Sequence, residues 1–366
     1  MAIFEFDNIE ISGIASAVPK KTIYTNEYST VFGKSIVEQF VKMTGIKQVR
    51  KTLSNQTASD LGYIAAKELI NKKEIDKKKI GVLIFVTLSP DYRRPSTSCV
   101  LHARLGLDNN CVVFDVGLGC SAFVYGAHII SSLMYSSDTE YGLLIVGETM
   151  SKLVNPKDRS AVMMFGDAGA AILFEKTSLK NRSLGGELFT DGNRYKSIIV
   201  PAGGFRNMNA NSETFVFADG NERSLYDVWM DGSKVFEFAI HEIPHTISEY
   251  IDCVEKNISD YDFFIIHQAN RFIHKQIQKR LNIDAEKIPI CLDRYGNTSA
   301  ASIPLTISDK FGEDEKGAIS LLTIGFGVGF SWGIFEFTIN CNNIYPIIES
   351  DEYYEEGVIS TPDEWE

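Results

Sequence analysis

A cysteine, a histidine and an asparagine stand where a reactive side chain is useful. Cys120 lies in Asp115-Val-Gly-Leu-Gly-Cys-Ser-Ala-Phe-Val-Tyr125, which reads as a strand, a glycine-rich turn and then a helix start. Free N–H groups and the helix dipole at such a place favour a thiolate and lower its pKa. Gly117 and Gly119 would allow the tight turn and the close approach of a ligand. The chemistry implied is nucleophilic attack on an acyl group. The plain alternative is a small buried residue, the usual fate of a lone cysteine, and position alone does not separate the two.

His267 follows the apolar run Phe263-Phe-Ile-Ile266 and precedes Gln-Ala-Asn-Arg, so it falls at the C-terminal end of a strand facing a helix start. Asn297 sits in Tyr295-Gly-Asn-Thr-Ser-Ala-Ala-Ser302, a tight turn before a helix of small residues. Open α/β sheets gather ligands beyond the carboxyl ends of their strands, where Cys120 falls too. Taken singly, a satisfied core histidine and a turn or cap asparagine explain these positions as well as catalysis does. Taken together, the three point to one cleft. Cysteines 99, 111, 253, 291 and 341 lie in strand-like or helical contexts without CxxC or metal-type spacing, so neither a disulfide framework nor a zinc site is expected.

Short apolar runs at 81–87, 111–116 and 141–147 predict buried strands, and 263–266, 288–292, 319–324 and 330–339 repeat the rhythm. Helical patterns lie between them: Thr57-Ala-Ser-Asp60 offers a capping box, and Phe123, Ala127, Ile130 and Met134 keep helical spacing. The expected class is α/β with two core-sized halves, at 1–177 and 222–340. A Gly/Asn/Ser-rich connection over 178–221 and a loosely held acidic tail over 341–366 complete the expected division. The net charge of -12 argues against binding nucleic acid or a membrane surface by general attraction. With no signal-peptide pattern and no run long enough to span a bilayer, the expected location is the cytoplasm.

The His-Gln-Ala-Asn and Gly-Asn-Thr-Ser-Ala segments, following a cysteine at a helix start, resemble the β-ketoacyl-acyl-carrier-protein synthase III family. Thr44-Gly-Ile46 with Arg50, Pro95-Ser96, Asp158-Arg159, Phe165-Gly-Asp-Ala-Gly-Ala170, Met230-Asp-Gly232 and Gly325-Phe-Gly-Val-Gly-Phe-Ser-Trp-Gly333 extend the resemblance over roughly 8–340. It implies a homodimer with a thiolase-like fold, two related α/β halves in α-β-α-β-α layers. It also implies a catalytic set of Cys120, His267 and Asn297, with the backbone N–H groups of Cys120 and Val328 as oxyanion hole. A dinucleotide site at Gly325–Gly329 is excluded by the strand-like run that follows, although a simple hairpin fits that run as well.

The implied reaction loads an acyl group on Cys120 and condenses it with a decarboxylating malonyl thioester. It calls for no metal or redox cofactor. Substrate contacts are expected from Arg159, Asn270 and Met230, and docking of acidic acyl carrier protein on the helical face bearing Arg271, Lys275 and Lys279. An ordinary solvated face would show the same charges. The sequence departs from the family at Gln39 and Met43, where housekeeping members have tryptophan and arginine before Thr-Gly-Ile. Arg94 replaces the aromatic residue that reaches the partner's acyl pocket; it either meets a polar acyl group there or points to solvent. Two other functions compete: acyl transfer to a non-malonyl acceptor, and a non-catalytic subunit of a heterodimeric synthase.

Overall fold

A computed structural model of the chain describes residues 3–178, 184–314 and 317–361. The strands that build its two main sheets are β1 (Ile3–Phe6), β2 (Ile9–Val18), β3 (Ile80–Val86), β4 (Val112–Val116), β5 (Tyr141–Glu148), β6 (Ala168–Lys176), β7 (Leu184–Thr190), β8 (Phe263–Ile266), β9 (Ala318–Gly327), β10 (Ser331–Asn340) and β11 (Ile348–Glu349). The principal helices are α1 (Lys34–Thr44), α2 (Ala58–Lys72), α3 (Thr97–Leu105), α4 (Ala122–Tyr135), α5 (Gly232–Cys253), α6 (Arg271–Leu281) and α7 (Ser302–Phe311).

Alternation along the strands sorts side chains into layers. In β3, Leu83 and Phe85 face α2 and α3, packing with Leu61, Leu69 and Leu101. Ile84 and Val86 face the other way, onto Phe123, Ala127 and Ile130 of α4. The far side of α4 and α7 meets Leu321, Phe335 and Phe337 of the second sheet. On that sheet's opposite face, Phe264, Ile266, Leu322 and Ile324 pack under α5 and α6. Helices thus cover both outer faces and fill the space between the sheets.

The first sheet runs β11-β2-β6-β5-β3-β4 and the second β1-β7-β10-β9-β8. Dropping β4, the inner four strands of the two orders correspond in position and direction, while the outermost differ, β11 running parallel to β2 and β1 antiparallel to β7. Each half, however, takes its outermost strand from the other: β1 pairs with β7, and β11 pairs with β2.

Two expected boundaries therefore change. Residues 184–190 of the expected connection form a strand inside the second sheet, while 179–183 lie outside the described residues. The acidic tail is also not loose over its described part. Arg50 Nη2 pairs with Glu349 Oε1 at 2.5 Å, and Gln56 Nε2 donates to the carbonyls of Ser350 and Glu352 at 2.9 and 3.0 Å. The Arg104 guanidinium lies between the Tyr63 and Tyr354 rings, 4.3 and 4.7 Å from their centroids. The strand expected at 288–292 is irregular chain entering a short helix, because Pro289 lacks a ladder donor.

Candidate functional site

Cys120 sits in the turn between β4 and α4, where β9 of the other half crosses it closely. A Cβ on Gly327 would lie 2.6 Å from Cys120 Cβ and 3.0 Å from Sγ, and one on Gly325 would lie 3.2 Å from the Cys120 carbonyl oxygen. Only glycine lets the strand pass. Gly119 is also tight, since a Cβ there would come within 3.0 Å of Leu88 Cδ1 and 3.2 Å of Ser299 Oγ. Gly117 is not: a Cβ there meets nothing within 4 Å, so the expected need for glycine fails at that position.

Backbone N–H groups of Cys120 and Val328 both favour a thiolate at Sγ, as does Ser299 Oγ at 3.6 Å. Burial outweighs them, and with the Glu148 carboxyl nearby the thiol is pushed up to about 11. The expected lowered pKa is thus not found. The Val328 turn is tied to the nucleophile's turn by a short chain of contacts. Ser331 Oγ donates to the Val328 carbonyl at 2.9 Å, and Ser121 Oγ meets Ser331 Oγ at 2.7 Å.

His267 follows β8, its N–H donating to the Ile324 carbonyl at 2.8 Å. Its Nδ1 meets Ser302 Oγ at 2.6 Å and its ring stands edge-on to Phe326. Burial, with His274 adding to it, lowers its pKa to about 3, so the ring is neutral at pH 7. Its carbonyl accepts from Nε2 of His274 at 3.0 Å.

Asn297 turns on a close crossing of two loops. A Cβ on Gly166 would come within 2.1 Å of the Tyr295 carbonyl oxygen, and Gly296 has φ +67. The Asn297 Oδ1 accepts from the Ser299 N–H at 2.9 Å, which leaves the amide Nδ2 free to donate.

Cys120, His267, Asn297 and Val328 line one cavity of about 1120 Å3, together with Asn270 and Met230. Asn270 additionally caps α6, its Oδ1 accepting from the Ile273 N–H at 2.9 Å. Arg159 is outside this lining: it is exposed, with Nη2 donating to the Asp219 carbonyl at 2.9 Å. Arg94 is exposed as well, and its neighbour Arg93 lines the cavity instead. Arg271 and Lys275 border a separate groove of about 300 Å3 with Gln39, Lys42 and Met43, while Lys279 is exposed further along α6. Sequence reasoning missed Ser302, Ser331 and Gly327. The Gly-Phe-Gly-Val-Gly run was the available signal for the last. Among the described residues no cluster of His, Cys, Asp or Glu could hold a metal ion.

The model of 3-oxoacyl-[acyl-carrier-protein] synthase III matches residues 114–192, and that of its C-terminal part matches 254–339. A β-ketoacyl-[acyl-carrier-protein] synthase III of Caldanaerobacter subterraneus is 34% identical over 324 residues, covering 88% of this chain and 95% of its own. The chain belongs to the β-ketoacyl-acyl-carrier-protein synthase III family. A synthase III of Clostridioides difficile is 33% identical over 325 residues, covering 88% of this chain and 96% of its own. The crystal structure of a 3-oxoacyl-(acyl-carrier protein) synthase from Burkholderia xenovorans superposes with a TM-score of 0.89 at 32% identity, covering 95% of this chain and 99% of that one. The layered arrangement is accordingly the thiolase-type fold of synthase III enzymes.

Proposed function

We propose that the protein is a decarboxylative condensing enzyme of the synthase III type, an acyltransferase that joins an acyl group to a malonyl unit held on acyl carrier protein. The carrying observation is the meeting of Cys120 Sγ, two backbone donors, a neutral His267 and a free Asn297 amide in one cavity.

Cys120 Sγ attacks the carbonyl carbon of the primer thioester. The N–H groups of Cys120 and Val328 hold the developing oxyanion, the bond to the carrier sulfur breaks, and the thiol proton leaves with the carrier as its free thiol. The enolate step requires the His267 ring proton on Nε2, the tautomer in which Nδ1 accepts from Ser302 Oγ. His267 and the Asn297 amide then donate to the malonyl thioester oxygen while CO2 departs, which stabilises the enolate. The enolate carbon attacks the acyl carbonyl, the Cys120 C–S bond breaks, and a β-ketoacyl thioester is released. Every step uses groups of the chain, so the reading needs no metal or redox cofactor.

Arg271, Lys275 and Lys279, spaced by four along α6, with Lys42 beside the first two, suit an acidic carrier protein. The unpaired outer edge of β4, with Val112 exposed, suits a second copy of the chain. Among the described residues no helix is long and apolar enough to cross a membrane. The test combines two readouts. Intact mass after mixing with acyl thioesters should show an adduct that is lost in Cys120→Ala, and malonyl-carrier should then release CO2. Retention of the adduct in the variant, or loading without CO2 release, would reject this reading, the second result pointing to a non-malonyl acceptor.

A further inference from the structure

The cavity around Cys120 has two unlike walls. Away from the reacting groups His267, Asn270 and Asn297, the second half supplies mainly apolar side chains, among them Met230, Phe236, Phe238, Phe326 and Phe330. The first half mixes apolar Met150, Leu153 and Phe165 with a polar patch of Ser89, Asp91 and Lys152. A purely alkyl primer lying against that patch would strip water from charges and return nothing for it.

These polar groups form a built cluster. Asp91 Oδ2 accepts from Ser59 Oγ at 2.7 Å, and its N–H donates to Thr97 Oγ1 at 3.0 Å. Asp91 Oδ1 is buried without a hydrogen-bond partner. Lys152 Nζ donates to the carbonyls of Ser54 and Gln56 at 3.0 and 2.6 Å and lies within electrostatic reach of Asp91. Desolvation raises the pKa of half-buried Asp91 and lowers that of Lys152, whose side chain still keeps an exposed part.

Two features fix the cluster relative to the nucleophile. Leu88 packs against Gly119, so the segment from Leu88 to Asp91 starts beside Cys120 and spans at most about 11 Å of backbone. Its far side is braced by the tail, because Tyr92 Oη donates to the Gly357 carbonyl at 2.5 Å and Gln56 is held by Ser350 and Glu352. That brace lies outside the segments matched by the family models.

We propose that the wall formed by Asp91, Lys152 and Ser89 is a primer-specificity site that recognises a hydroxyl group on the acyl chain. A hydroxyl donates to Asp91 and accepts from Lys152. A carboxylate would be opposed by Asp91, an ammonium by Lys152 and Arg93, and a methyl satisfies neither. The inference rests on the acyl-Cys120 reading above.

The test is a competition with the full-length protein. Equimolar pantetheine thioesters of butyrate and hexanoate are paired with their 3-hydroxy and ω-hydroxy derivatives, and the Cys120 adducts are read by intact mass. At least one hydroxyacyl primer should load about ten-fold or more over its parent, and Lys152→Met and Asp91→Leu should bring that ratio close to one. Parents that load equally well or better in the wild-type protein would overturn the proposal, as would a preference that survives both substitutions. Ser89→Ala and Lys152→Gln are the milder pair should those variants not fold, and a preference that survives both would equally overturn the proposal. Failure of the broader reading looks different, since no primer would then form an adduct.

Discussion

Ser302 Oγ meets Nδ1 of His267 at 2.6 Å, and in the proposed mechanism it is the donor that leaves the ring proton on Nε2. Ser302→Ala leaves the tautomer free. Its CO2 release should fall roughly 10- to 100-fold, by analogy with the loss of other groups that orient a catalytic histidine. Loading of Cys120 should persist; a parallel loss of both steps would mean a folding defect. Glu148 allows a pH test. Its carboxyl is fully buried and accepts from the Leu88 N–H at 2.7 Å, and burial raises its pKa from 4.5 to about 8. Between those values the folded chain keeps a proton that the unfolded chain has released, so this group lowers stability as pH rises from about 4.5 to about 8. Glu148→Gln removes that dependence. Denaturant unfolding should show the variant gaining on the parent from pH 5 to pH 8, by on the order of 3 to 4 kcal/mol. Curves that stay parallel would reject the assignment. Cys120, His267 and Asn297 were legible because each occupies a turn or strand end whose local pattern is recorded in neighbouring residues. Ser302 and Gly327 were not, since their roles are set by partners 35 and more than 200 positions away.

Among the elements, α6 presents Arg271, Lys275 and Lys279 beside the separate groove on α1. Arg271 is folded over Gly45, where a Cβ would lie 2.6 Å from its Nε, so part of its charge is engaged in packing. Reversing Lys275 and Lys279 to glutamate should raise the KM for carrier-linked malonyl about ten-fold or more while leaving kcat within a factor of two, with the shift shrinking at high salt. An unchanged KM would place the carrier elsewhere. Periodicity made β3, β4, β5, β8, β9 and β10 readable but not β2, β6 or β7, and α2 and α4 begin where the capping box and the glycine turn put them. The tail was misread for a physical reason. Its carboxylates suggest solvation, but it is held through main-chain carbonyls and by Tyr354 against Arg104, interactions that leave no compositional trace.

Over the whole molecule, β4 is the longer of the first sheet's two outer strands and has no partner on its far side among the described residues. If two copies pair there, sedimentation equilibrium should give twice the chain mass, 81.8 kDa against 40.9 kDa, and Val112→Lys should shift the population toward the smaller species. A wild-type protein that sediments at the single-chain mass would rule this out. The duplication of the halves was visible as a repeated rhythm, whereas the exchange of outer strands was not, because two short segments carry too little periodicity to name their partners. That exchange bears on how the chain is made. The free side of β2 waits for β11, so a ribosome that has completed β6 at Lys176 must still add the residues up to Glu349, which takes roughly 9 to 35 s at usual elongation speeds. Throughout that interval the nascent first half shows a bare strand margin to its surroundings, and translation rate becomes a variable in whether it is capped by its own chain or by a neighbour's.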